Sequence, residues 1–174
     1  GQATDASLYH PTGLVKDSIG NIYVSTERGY IRKISPSGII TKYAGLPEGS
    51  PNAVFADTTD KNNVSLLAPS GMAIDEENGY IYVADSGHHR ILQISLLDNK
   101  ARTVAGTTSC SGGTSYDGKS ALNTSICTPK KIGLDKNKNL LFLDNDGNRV
   151  RRVVLNNEAS GVKRFASTNN DNSK

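Results

Sequence analysis

Two acid–base pairs are the first candidates for chemistry. Asp85 precedes Arg90 by five residues, and Asp144 precedes Arg149 by five, each across a tight turn. A carboxylate beside a guanidinium could bind or polarise a substrate. Its recurrence at one spacing instead points to architecture. Asp17, Asp75 and Asp135 recur in the same way, each six places after Pro11, Pro69 or Pro129. They suit strand ends, where a carboxylate caps the following turn through an Asx bond. The histidines offer little: His88 and His89 adjoin in one turn, His10 is remote in sequence, and no H-x-H, C-x-x-C or carboxylate spacing completes a metal site. No catalytic residue, metal or cofactor is therefore assigned.

Cys110 and Cys127 bracket one Gly/Ser-rich stretch, CSGGTSYDGKSALNTSIC. A disulfide would close that loop in an oxidising compartment, which favours an extracellular or secretory setting; the alternative is two unpaired thiols in a cytosolic protein. Two glycosylation sequons, Asn63-Val64-Ser65 and Asn123-Thr124-Ser125, carry little weight in a chain so rich in Asn, Ser and Thr. Basic residues gather late, at Lys130, Lys131, Arg149, Arg151, Arg152, Lys163 and Arg164. That cluster raises RNA binding as an alternative, with Arg149 and Arg151 among the contacts. A net charge of +3, the absence of Trp and only 3 Phe argue the other way, and solvated strand edges explain Lys and Arg equally well.

The elements that position these residues come in a repeat. Pro11-Thr12-Gly13-Leu14-Val15-Lys16-Asp17, Pro69-Ser70-Gly71-Met72-Ala73-Ile74-Asp75 and Pro129-Lys130-Lys131-Ile132-Gly133-Leu134-Asp135 begin alike, with prolines 58 (69 − 11) and 60 (129 − 69) apart. Each opening leads to short apolar runs bounded by Gly and Asn: Asn21 to Val24, Tyr80 to Val83 and Leu140 to Leu143, then a third and a fourth segment. Such runs are strands, and turns too short for crossovers make each unit an antiparallel meander of four. One four-stranded sheet cannot bury both faces, so neighbouring units must stack. No run reaches the roughly 18 apolar residues that a membrane-spanning helix needs.

The segments Pro69 to Asp75, Tyr80-Ile81-Tyr82-Val83-Ala84-Asp85 and Gly87-His88-His89-Arg90-Ile91 together resemble an NHL repeat. The third unit carries the pattern through Asp144, Asn148, Arg149 and Val150, and the first through Gly20 to Val24. The first departs at Thr26 and Tyr30, the third at Lys131 and Gly133. The resemblance implies an all-β fold, a β-propeller of NHL type with three four-stranded antiparallel blades. Blades are expected near 11–45, 69–106 and 129–167, joined by connectors 46–68 and 107–128. Because family propellers usually close with six blades, the chain is expected to be a half propeller, an isolated set of three. Two bare blade faces then predict a homodimer, two copies closing one ring.

The resemblance implies a non-catalytic scaffold that presents loops to a protein or peptide partner. The long connectors are the most function-like feature. Glu48, Phe55, Tyr116 and Asp117 are the binding positions expected there. A fragment of a propeller lyase or hydrolase is a further alternative, since peptide-amidating lyases use a similar propeller with a metal held by several His, of which this chain has too few.

Overall fold

Short runs of β-branched and aromatic residues, parted by turns this tight, can pair only with their neighbours in the chain. The computed structural model describes residues 1–47, 49–50, 58–110, 120–155 and 162–167. The first sheet orders β1 (Pro11–Lys16), β2 (Ile22–Thr26), β3 (Tyr30–Ile34) and β4 (Ile40–Ala44) as they follow in sequence. The connector after it contributes β5 (Leu46–Pro47), β6 (Thr58–Asp60) and β7 (Ser65–Leu66). The second sheet holds β8 (Pro69–Asp75), β9 (Tyr80–Asp85), β10 (Arg90–Ser95) and β11 (Lys100–Ala105); the third holds β12 (Pro129–Leu134), β13 (Leu140–Asp144), β14 (Arg149–Val153) and β15 (Val162–Ser167).

The middle sheet differs from the four-stranded expectation. Its fifth strand is β6, which pairs antiparallel with β11 from Lys100 opposite Asp60 to Arg102 opposite Thr58. An outermost strand leaves a row of backbone groups unpaired, and the connector covers that edge. The chain's first residues do the same for β4, through the Gln2–Ile39 bridge and the Ile40 N–H donating to the Gly1 carbonyl at 3.0 Å.

Alternation along the strands separates two cores. Val15, Tyr23 and Ile31 of the first sheet meet Met72, Ile81, Val83, Leu92 and Ile94 of the second. The opposite face of the second sheet, with Tyr82, Ile91 and Ala105, meets Leu140, Phe142 and Val153 of the third. The sheets therefore stack as blades, with β1, β8 and β12 side by side at the inner radius.

Those inner strands interlock through hydroxyls and glycines. Thr12 Oγ1 donates to the Pro69 carbonyl at 2.6 Å and Ser25 Oγ to the Ser70 carbonyl at 2.8 Å. One blade on, Ser86 Oγ donates to the Pro129 carbonyl at 2.5 Å and Ser70 Oγ to the Lys130 carbonyl at 2.9 Å. Gly13 and Gly71 make this approach feasible, because a Cβ at either would overlap the Ser70 or the Lys130 carbonyl oxygen. In the third blade Lys130 and Lys131 stand where Ser70 and Gly71 stand in the second.

Candidate functional site

The sites expected to bind are connectors, so what anchors a connector comes first. Asp85 at the end of β9 is fully buried, and its Oδ1 accepts the Leu67 N–H at 2.8 Å just ahead of β8. Its Oδ2 accepts from Arg90 Nε at 2.8 Å and lies 2.9 Å from His88 Nδ1. Arg90, also buried, sends Nη2 to the Ser65 carbonyl at 2.7 Å and Nη1 to Thr103 Oγ1 at 3.4 Å. One carboxylate and one guanidinium thus bind the incoming connector to the second and third strands of its blade. A buried pair with its remaining donors satisfied is held in place, not offered to a ligand.

The third blade repeats the tie with a different arginine. Asp144 Oδ1 accepts the Cys127 N–H at 2.6 Å, and Arg151 Nη1 donates to Asp144 Oδ2 at 3.0 Å and to the Ser125 carbonyl at 2.8 Å. The Asp144–Arg149 pairing expected from the five-residue spacing is replaced: Arg149 sits opposite Asp144 in the ladder, but its Nε donates to the Gly147 carbonyl at 2.8 Å. Arg151 is two residues further along β14, hence on the same face, and reaches back to the carboxylate. At 1% exposure it cannot contact RNA or a protein partner from the surface, as its place among the binding candidates required. The signal that could have found it is the strand period of two, which puts either arginine within reach of Asp144.

The basic cluster divides in the same way. Arg151 lies opposite Phe142 of the inter-blade core, whereas Lys131 and Arg152 stand on the alternate, outward face. His88, read from sequence as one of two idle turn histidines, is part of the Asp85 tie. Its neighbour His89 accepts the Thr128 N–H on Nδ1 at 3.2 Å, bridging to the connector that leads into the third blade.

Cys110 and Cys127 are joined in a disulfide. The bond brackets residues 111–119 and ends at the residue whose N–H Asp144 holds. Tyr116 and Asp117 fall within those nine positions (119 − 111 + 1), and Glu48 and Phe55 also lie outside the described residues. Asn63 and Asn123 of the two sequons are both exposed, each six residues ahead of an inner-strand proline (69 − 63 and 129 − 123).

The turn aspartates behave as Asx caps. Asp17 Oδ1 accepts the Asn21 N–H and its Oδ2 the Asn21 side-chain amide, both at 2.7 Å, and Asp135 makes the same pair of bonds to Asn139 at 2.9 Å. Burial opposes ionisation of Asp17, yet the Asn21 bonds outweigh it and hold its carboxyl below the usual range. The Asn139 amide, with the backbone N–H groups of the turn, does the same for Asp135. Among the described residues no group of three or more His, Cys, Asp or Glu is placed to hold a metal ion.

With this geometry in hand, the likeness to known proteins is decisive. The family model described as the Teneurin NHL domain matches residues 1–173. The chain belongs to the Teneurin NHL domain family. It is 29% identical over 171 residues to Teneurin-4 of Homo sapiens, covering 93% of this chain and 6% of that protein. This NHL domain chain therefore spans a small part of the Teneurins it matches. Among solved structures, a Bacteroides thetaiotaomicron protein of unknown function aligns at TM-score 0.64 and 19% identity over 88% of this chain and 35% of its own. A catalytically inactive virginiamycin B lyase of Staphylococcus aureus aligns at 0.58 and 20%, over 92% of this chain and 42% of its own. Likeness at that level establishes the β-propeller fold, and the lyase chemistry does not travel with it.

Proposed function

We propose that this NHL domain is a binding module that presents its inter-blade connectors to a protein or peptide partner in an oxidising compartment. The observation that carries the reading is the convergence of the Cys110–Cys127 disulfide and the Asp144–Arg151 tie on one connector. Both fasten the described end of this connector to its blade, which lowers the ordering entropy that opposes a partner. Blades 11–45, 69–106 and 129–167 are the rigid units in this reading, and 46–68 and 107–128 the presenting segments.

The test exchanges residues 111–119 and, separately, 51–57 for Gly/Ser segments of equal length, keeping both cysteines. Binding to intact cells and melting temperature are then compared with the parent chain. Lost binding at unchanged stability is the expected result, and undiminished binding by both exchanged chains overturns the reading.

A second reading, association of two copies, is favoured by Leu14 at 63% exposure and Leu143 at 41% on the two outward faces. Lys16 and Arg32 share the first of these faces, Lys131 and Arg152 the second, so like charges meet. Association should then strengthen as salt is raised. A mass by light scattering that stays monomeric from low to high salt rejects it.

A further inference from the structure

The two inter-blade seams differ at their outer half. Ile31 faces Ala44 across the first sheet as Ile91 faces Ala105 across the second, so Tyr43 and Val104 hold the same place. Tyr43 closes its seam: its ring packs edge-on against Tyr23 at 4.8 Å and its hydroxyl donates to the Ser95 carbonyl of the next blade at 2.9 Å. Val104 is too short to do this. Among the described residues the seam between the second and third blades leaves hollows of about 240 and 180 Å³ there, and a third of about 280 Å³ adjoins them on the second blade; Arg102 lines all three.

Arg102 is exposed on β11, yet it is aimed. Its Nε donates to Gln93 Oε1 at 2.5 Å, and Gln93 Nε2 donates to the buried Tyr82 hydroxyl at 3.0 Å. With Nε engaged, the two terminal amino groups form the free edge, which matches a carboxylate bidentately. No described carboxylate is ion-paired with it. The nearby Asp75 is taken by Asn78 and Lys138, and Asp98 by the Lys100 N–H. On one side of Arg102 stand Lys100 and Tyr80, on the other Val104, Leu122 and Leu155.

We infer that this groove binds an extended acidic peptide, a carboxylate side chain meeting the Arg102 edge and a neighbouring apolar side chain lying against Val104 and Leu155. Hollows of this size admit single side chains and exclude a folded surface. Tyr80 and Lys100 line the groove at the strand ends away from the Asp85–Arg90 tie, and Leu122 of the connector lines its other end; the inference rests on Arg102 and not on residues 51–57 or 111–119.

The probe is acetyl-Leu-Asp-Leu-amide, titrated calorimetrically into the whole chain with its disulfide intact and compared with acetyl-Leu-Asn-Leu-amide. The Asp peptide should bind about tenfold more tightly or better, the range of one charge-assisted hydrogen bond. Arg102→Gln should erase that preference while leaving the melting temperature unchanged. Gln93→Glu, which supplies an internal carboxylate to Arg102, should erase it as well. Equal binding of the two peptides, or a preference that survives Arg102→Gln, overturns the inference. Inorganic phosphate binding as tightly as the Asp peptide also overturns it, because the apolar wall would then contribute nothing.

Discussion

The seam between the first and second blades and the seam between the second and third are alike at the inner radius and unlike at the outer one. Inside, both rest on a hydroxyl donating to the next blade's carbonyl and on a glycine that lets two backbones meet. Outside, Tyr43 bridges one seam and Val104 leaves the other open. The comparison teaches where sequence freedom lies in stacked twisted sheets. Near the axis backbone meets backbone, and only one class of residue fits. Further out the sheets diverge with their twist, and side-chain size decides whether a seam closes or becomes a groove.

The largest effects should come from the ties that fasten the connectors at both seams. Asp85→Ala removes the buried carboxylate that Arg90 and the Leu67 N–H share, and Asp144→Ala the one that Arg151 and the Cys127 N–H share; each should cost about 3–5 kcal/mol in urea unfolding. Arg151→Ala should approach that loss, whereas Arg149→Ala should cost less than about 1 kcal/mol. Equal losses at the two arginines would break the assignment of Arg151 as the working partner.

Next come the glycines. Gly13→Ala and Gly71→Ala should each destabilise by about 3 kcal/mol, the upper end of the usual overpacking range, and by similar amounts if the two seams share one inner design. A tolerated alanine at either would show that the blades can part without loss.

The outer halves should respond in opposite directions. Tyr43→Val opens the closed seam and should cost about 2 kcal/mol, while Val104→Tyr fills the open one and should gain about 1 kcal/mol by burying apolar area. The second change should also remove peptide binding at Arg102. Unchanged stability in both would mean that Tyr43 fills space without bracing the blades.

The smallest effect is alkaline and arises at both seams, since burial also raises the Tyr82 phenol between the second and third blades. Burial, with the Asp17 carboxylate beside it, pushes the Tyr23 phenol up to about 12 from an ordinary 10.0, and burial raises Tyr43 as well. A phenol whose pKa is higher in the folded state stabilises that state fully below the unfolded value, and the contribution is lost as pH rises through the folded value. The melting temperature should therefore fall between about pH 10 and pH 12, by on the order of 2–4 °C per kcal/mol lost. Tyr43→Val should lessen the fall, which calorimetry across that range would measure.

Much of this was legible in the chain itself. The Pro-to-Asp spacing fixed the inner strands, and the turn aspartates were correctly placed as caps because an Asx bond is local, spanning four residues from Asp17 to Asn21. The Asp85–Arg90 pair was legible for the same reason: the two face each other across one tight turn. Asp144 misled because a carboxylate can be reached by either of two arginines on one strand face, and position along the sequence does not choose between them. The β6 edge strand was missed since three residues of a connector carry no period of their own.

The sequence by itself determined the blade: four strands, their order and which face of each is apolar, because periodicity and tight turns act between near neighbours. Only the tertiary structure decided what happens between blades. It chose the arginine that ties the third connector, made glycine obligatory at Gly13 and Gly71, and left the seam at Val104 open. The glycine contacts join residues 57 (70 − 13) and 59 (130 − 71) positions apart and the arginine tie residues 7 and 26 apart, and which of them meet is set by stacking and side-chain reach, which local pattern does not encode.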